Sequence, residues 1–260
     1  MFEPITDLSE ARILISNDDG INAPGIKMLE EVALTLTDDV WVIAPEGEQS
    51  GAGHSLTLHS PLRYRKVKER HYAVDGTPTD AVLLGVNRLV EDRRPTLLLS
   101  GVNRGANIGD DVTYSGTIAA AIEGTLLGVQ SMALSQVFRH PDPVPWDTAR
   151  LHAADVIRRC CAAGWARNVA INVNFPNCGP DEVKGVEVVR QGKRKLGDHL
   201  IERHDPRGRP YVWIGPARNE DTTVVGTDIE AVHRNVIAVT PLCVDLTHQP
   251  TMLSLKQVFS

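Results

Sequence analysis

The chain has 260 residues, of which 42% are hydrophobic, and a formal net charge of -6 at pH 7 with a sequence pI near 5.8. That length can bury a full core and sits at the upper end of one α/β domain, so a single domain spanning residues 1–260 with an elaboration is expected. The acidic balance argues against a general polyanion-binding surface, because phosphate backbones are held by clustered Lys and Arg; no nucleic-acid polymer is expected as a partner.

Met1 to Glu10 holds three acidic residues and no apolar segment, so neither a signal peptide nor a membrane anchor is expected there. No apolar run approaches the ~20 residues of a membrane span. Cys160, Cys161, Cys178 and Cys243 lack metal-ligand spacing, and the adjacent pair suits no ordinary disulfide framework. They read as reduced packing residues of a cytoplasmic protein.

Ile13, Leu14 and Ile15 form a short apolar run of the kind that fills a parallel strand buried on both faces, and it runs directly into Asp18 and Asp19. Pro24 then pre-sets φ for a first helical turn, with Ile26, Leu29, Val32, Ala33 and Leu36 at helical spacing. A strand-to-helix loop of this type lies at the C-terminal edge of an open α/β sheet, where ligands bind. Two adjacent carboxylates repel, and a hard divalent cation compensates them best, because this stretch lacks the histidine or thiolate that would favour zinc. Asn-Asp-Asp-Gly is also ordinary turn chemistry, so the motif alone carries little.

Val40 to Ala44 is a second buried strand, opening the polar loop 46–55. Gly51-Ala-Gly53 lacks the third glycine and the following helix of a dinucleotide fingerprint. Ser50 and His54 are the chemically capable members of this loop, although such residues in a Gly-rich loop most often serve as turn hydrogen-bonders. Tyr72 to Val74 reads as a strand, with Thr77 as N-cap and Pro78 opening a helix. Thr96 to Ser100 enters a Gly-rich and Asn-rich loop, Gly101 to Asp111, and Tyr114-Ser-Gly-Thr117 opens an Ala-rich helix over 118–127.

Ser115, Gly116 and Thr117 present free N–H groups and hydroxyls at a helix N-terminus, which suits a phosphate; the plainer reading is that Ser115 caps that helix. Three strand exits, carrying Asp18 and Asp19, Ser50, and Asn103, would converge on one sheet edge in a doubly wound fold. Further strands are expected over 132–135 and 169–173, with a helix over 147–163. Beyond Pro176, short strands over 185–189, 211–214 and 236–239 suggest a smaller, partly antiparallel extension from about residue 185. The run Arg190-Gln-Gly-Lys-Arg-Lys195 reads by default as a solvated loop, the alternative being a contact to substrate or to a neighbouring subunit.

Five segments in register, Ser16-Asn-Asp-Asp-Gly-Ile-Asn-Ala-Pro-Gly25, Ala44-Pro-Glu-Gly-Glu-Gln-Ser-Gly-Ala-Gly-His-Ser55, Gly76-Thr-Pro-Thr-Asp80, Ser100-Gly-Val-Asn-Arg-Gly-Ala-Asn107 and Tyr114-Ser-Gly-Thr117, resemble the SurE family of survival-protein nucleotidases. Ala106 stands where the family often has proline, and Gly51-Ala52 where an Ala-Thr pair is common. Neither replaces a metal-binding oxygen. The C-terminal half matches only in general character.

The resemblance implies a Rossmann-like, mainly parallel doubly wound sheet with a C-terminal β-rich oligomerisation extension. It implies a phosphatase acting on nucleoside 5'- and 3'-monophosphates, and on short polyphosphate in some members. One divalent ion per subunit, Mg or Mn, is implied, with Asp18, Asp19, Ser50 and Asn103 as its ligands. Asp18 and Asp19 are then the catalytic pair, and Asn103, Ser115, Gly116 and Thr117 hold the substrate phosphate, with Asn107 a further candidate. A homodimer or homotetramer is implied as well.

Two rivals come from other classes. A haloacid-dehalogenase-type phosphatase would carry Asp-x-Asp-x-Thr after its first strand, whereas here the aspartates are adjacent and Gly20 and Ile21 follow. A non-catalytic nucleotide-binding regulatory protein could hold a phosphate in the same loops without hydrolysing it.

Overall fold

A computed structural model of the chain describes residues 1–196, 200–215 and 218–259. Its centre is β1 (Ile13–Ser16), flanked by β2 (Val40–Pro45) on one side and β5 (Leu97–Arg104) on the other, all parallel. Beyond β2 lie β4 (His71–Asp75) and the edge strand β3 (Arg63–Lys68), which is antiparallel to β4. Beyond β5 lie β6 (Gln130–Gln136) and β7 (Val169–Phe175), both parallel to it. The sheet continues with β13 (Ile237–Cys243), antiparallel to β7, and β8 (Val186–Val188), parallel to β13. The nine-stranded order is β3-β4-β2-β1-β5-β6-β7-β13-β8.

Alternation along the strands builds two cores, because successive side chains leave opposite faces of the sheet. Ile13, Ile15, Val42, Leu97 and Leu99 join the core made with α1 (Pro24–Leu34) and α4 (Trp146–Ala163). Leu14, Ile43 and Leu98 join the core made with α2 (Pro78–Leu84) and α3 (Gly116–Leu126). Helices on both faces require apolar residues at every position of the central strands, and all four residues of β1 are buried. Such a doubly wound sheet was the expected architecture.

The helix starts follow their cap residues. Thr77 accepts the N–H of Asp80 at 3.1 Å while the Asp80 carboxylate accepts the N–H of Thr77 at 2.9 Å, and Pro78 opens α2. Ser115 Oγ accepts the N–H of Ile118 at 3.1 Å at the start of α3.

Strand β3 has no apolar alternation to betray it. Its six residues, Arg-Tyr-Arg-Lys-Val-Lys, are all exposed. Basic side chains on an outer strand discourage another chain from adding to the edge. Two of the late strands expected in a smaller extension, 185–189 and 236–239, instead belong to the main sheet as β8 and β13.

Two small antiparallel sheets stand outside the main one. One pairs β10 (Leu200–His204) with β11 (Pro210–Ile214), and the other pairs β9 (Arg194–Leu196) with β12 (Arg218–Glu220). A short α5 (Asp228–His233) precedes β13, and α6 (Gln249–Val258) ends the chain with none of its residues buried. Among the described residues no helix is long and apolar enough to cross a membrane.

Candidate active site

The order of strands locates a crevice. From β1 the chain moves outward to β2 and β4, then returns to the opposite side of β1 to form β5, β6 and β7. The direction of winding therefore reverses between β1 and β5, and the loops leaving their C-terminal ends diverge around a gap. That gap opens into a cleft of about 480 Å³ whose walls include Asp18, Ser50, Asn103, Asn107, Ser115 and Arg194.

The carboxylate loop is braced locally. Asn17 donates from Nδ2 to the Gly20 carbonyl at 2.9 Å, closing the turn that carries Asp18 and Asp19 off β1. Gly20 has φ +95°, and a Cβ there would lie 3.1 Å from the Gly47 carbonyl carbon, so the loops after β1 and β2 touch at two glycines. The N–H of Gln49 donates to the Asp18 carbonyl at 2.8 Å, which brings Ser50 to the same cleft. Ser50 is exposed, its hydroxyl donating to Glu48 at 3.0 Å.

Asp18 is 5% exposed and lies against the start of α3. The Thr117 hydroxyl donates to Asp18 Oδ1 at 2.6 Å. Burial pushes the Asp18 carboxyl up to about 6, the Thr117 hydrogen bond works against this, and the neighbouring Asp19 charge adds to it. Asp19 is raised too, first by burial, although its Oδ2 accepts the N–H of Arg104 at 3.3 Å. Two adjacent carboxylates, one buried and one half-buried, each made harder to ionise, form a place where a cation is favoured.

Asn103 donates from Nδ2 to the Gly105 carbonyl at 3.0 Å, which leaves its side-chain oxygen for another partner. The hydroxyls of Ser16 and Ser100 and the amide oxygen of Asn17, at the end of β1 and in the neighbouring β5, are buried and find no hydrogen-bond partner among the described residues. No group of three or more His, Cys, Asp or Glu side chains is placed to hold a metal ion among the described residues. The donor set that could hold an ion is thus two carboxylates, a hydroxyl and an amide oxygen, which is the all-oxygen chemistry of Mg or Mn rather than of zinc. The residues present fit such an ion.

The phosphate candidates separate into different tasks. The Ser115 oxygen accepts from Ile118, but its own hydrogen remains free to donate into the cleft. Thr117 is fully buried and turned onto Asp18. Gly116 sits behind the carboxylate: a Cβ there would lie 2.7 Å from Asp18 Cβ and 2.9 Å from Oδ2. Asn107 is tied into a buried amide network, donating from Nδ2 to Ser135 at 2.8 Å and from its N–H to Asn174 Oδ1 at 2.9 Å.

A substrate contact of the run 190–195 is only the alternative to its default reading as a solvated loop. The basic run read by default as a solvated loop delivers Arg194 on β9 into the cleft, 9% exposed, with Nε 3.2 Å from Asp111 and Nη1 3.2 Å from Glu220. Arg104 and His140 also line the cleft. Arg104 brings positive charge to the wall for an anion, whereas the charge of Arg194 is met by Asp111 and Glu220. Lys195 lies over the Tyr114 ring, 4.8 Å from its centroid.

Fold and site together define a doubly wound α/β protein whose switch-point cleft joins a carboxylate pair, with Asp18 buried, to a helix N-terminus. Within that class the chain belongs to the SurE family, since the family model described as survival protein SurE matches residues 13–198. A protein of Paramagnetospirillum magneticum named 5'-nucleotidase SurE is 64% identical over 258 residues, 99% of each chain. One of the same name from Rhodospirillum rubrum is 58% identical over 262 residues, 100% of each chain. The crystal structure of the SurE protein from Aquifex aeolicus matches with a TM-score of 0.84 at 40% identity, over 95% of this chain and 99% of that one.

Proposed function

We propose that this protein is a 5'-nucleotidase, a divalent-metal-dependent phosphatase that releases phosphate from nucleoside 5'- and 3'-monophosphates and from short polyphosphate. The observation that carries the reading is Asp18, a buried carboxylate at the end of the central strand, within contact of the residue that opens α3. One cleft thereby combines a cation-favouring carboxylate pair with a helix N-terminus that favours an anion. The relatives named 5'-nucleotidase support the substrate class.

Asp18, Asp19, Ser50 and Asn103 would hold the ion, which when bound polarises a phosphoryl oxygen and makes a water more acidic. The chain's own residues do the positioning. Thr117 holds the Asp18 carboxylate in one orientation, Ser115 and the first N–H groups of α3 face the phosphate, and Arg104 adds positive potential along the wall. Inorganic phosphate release from a panel of mononucleotides and polyphosphate, with Mg, Mn or chelator, tests the reading. A chain that binds AMP but releases no phosphate with either ion is the regulatory module instead.

The two roles of Ser115 make a separable expectation. Ser115→Ala removes the cap of α3, at a cost of about 1 kcal/mol in denaturant unfolding. It also removes a donor to the anion, so inhibition by inorganic phosphate weakens about 10-fold while the metal concentration for half-maximal activity stays the same. Unchanged phosphate inhibition with a weakened metal response reverses the assignment.

The assembly we propose is a homodimer or homotetramer in the cytoplasm. Tyr211, Val212, Trp213 and Ile214 of β11 are exposed in a hairpin that, among the described residues, pairs only with itself, and Leu253, Leu255, Val258 and Phe259 are exposed on and beside α6. Apolar surface of this extent is ordinarily covered, most often by a symmetric copy. Light scattering of the full chain at micromolar concentration should give at least twice the 28.4 kDa chain mass. A monomeric mass with normal activity removes the packing role.

A further inference from the structure

Beside the carboxylate cleft lies a larger cavity of about 730 Å³ that the proposed chemistry leaves unused. Its walls are mostly apolar, formed among others by Val112, Ile122, Val189 and Leu242, and Ser115 belongs to both cavities. The helix α3 explains this continuity. Ser115, Ala119, Ile122 and Leu126 recur at spacings of four, three and four, so they form one stripe running from the polar cleft along the apolar one. The loop after β2 does the same from the other side, placing Ser50 in the first cavity and His54 in the second.

Arg190, Gln191 and Thr240 line this mostly apolar wall as well, and His54 is the member that the sequence singled out. Its Nε2 lies 2.9 Å from Oε2 of Glu123, a carboxylate only 7% exposed on α3. That contact fixes the plane of the imidazole and leaves Nδ1 for another partner. Glu123 follows Ser115 by eight residues, so at 1.5 Å per residue the pair stands about 12 Å along the helix from the phosphate end. A mononucleotide spans about that distance from its phosphate to the far edge of its base.

We propose that this cavity receives the nucleoside half of the substrate, with the base against Ile122 and Leu242 and His54 meeting a polar edge of the base or sugar. The inference rests on the nucleotidase reading and assigns His54 and Glu123 to specificity rather than to bond cleavage. A mostly apolar pocket of several hundred Å³ with a few placed polar groups, here His54 held by Glu123 together with Arg190 and Gln191, is the usual form of a small-molecule site. The occupant favoured here is the nucleoside, and not a second copy of the chain, because the cavity adjoins the phosphate end at Ser115, which lines both.

Calorimetry with adenosine, which has no phosphate to be cleaved, tests the cavity apart from catalysis. Adenosine should bind the wild-type full chain, with Kd raised at least 10-fold by Ile122→Trp and about 3- to 10-fold by His54→Ala. The ratio of kcat/KM for AMP over methyl phosphate should fall in parallel. Ile122 is only partly buried, so the larger side chain can be accommodated, and circular dichroism checks that it is. A wild-type chain that hydrolyses AMP but does not bind adenosine overturns the cavity assignment and leaves the nucleotidase reading standing; adenosine binding without hydrolysis does the reverse. A variant with an unchanged AMP ratio and an altered oligomeric mass overturns it in favour of an interface between copies.

Discussion

Asp18→Asn and Asp19→Asn should each lower phosphate release from AMP by at least 1,000-fold while the fold stays intact. Each change removes a negative charge from the pair that favours the cation, and neither alters side-chain volume. For Asp18 the stability effect has a definite sign. Its carboxyl is raised from 3.8 to about 6 by burial, so in the metal-free protein the fold binds that proton more tightly than the unfolded chain does. Stability from this group is therefore present at low pH and lost as pH rises through about 6. Above that range Asn carries no such penalty, and metal-free Asp18→Asn should be more stable than wild type by about 1–3 kcal/mol at pH 7, with the gain vanishing near pH 3. Calorimetric scans of both proteins in chelator, at the two pH values, measure the difference. Activity within a few-fold of wild type for both variants removes the carboxylates from the mechanism.

Gly116→Ala should lower activity by about 100-fold or more without unfolding the protein. On an open helix surface the same change would stabilise by about 1 kcal/mol. Here the new methyl would lie 2.7 Å from Asp18 Cβ, a separation that forces one side to move, and Asp18 is the side chain with the cleft in front of it. Displacement of the carboxylate breaks its 2.6 Å hydrogen bond from Thr117 and moves it off the proposed metal position. Fluorescence-monitored unfolding should show a change smaller than about 2 kcal/mol, because a short shift into an open cleft costs less than a buried overpacking. Wild-type activity in Gly116→Ala would show that Asp18 does not need its observed place.

The legible part of this protein lay where local pattern and chemistry change abruptly. Ile13 to Ile15 end at Asp18 and Asp19, and a run that is apolar on both faces has to be a central strand, so the carboxylates had to stand at a sheet edge. Thr77 with Pro78 and Ser115 with the Ala-rich helix were equally plain, since caps act through residues three positions away. Strand β3 was not legible, because an edge strand facing solvent needs no apolar alternation. The default reading of the basic run also differed from the outcome for Arg194. A charged side chain buries only where partners arrive, and here Asp111 comes from before α3 and Glu220 from a later strand.

From the sequence by itself came the class of fold, the strand ends that carry the oxygen donors, and the family resemblance through five spaced segments. These are properties of short stretches, set by side-chain periodicity and turn chemistry over a few residues. The strand order that reverses between β1 and β5, and the entry of β8 and β13 into the main sheet, came only with the tertiary structure. So did the turning of the Thr117 hydroxyl onto Asp18 and the sharing of Ser115 between two cavities. Each of these depends on which distant segments lie side by side, and that is decided by packing the whole core at once rather than by any local preference.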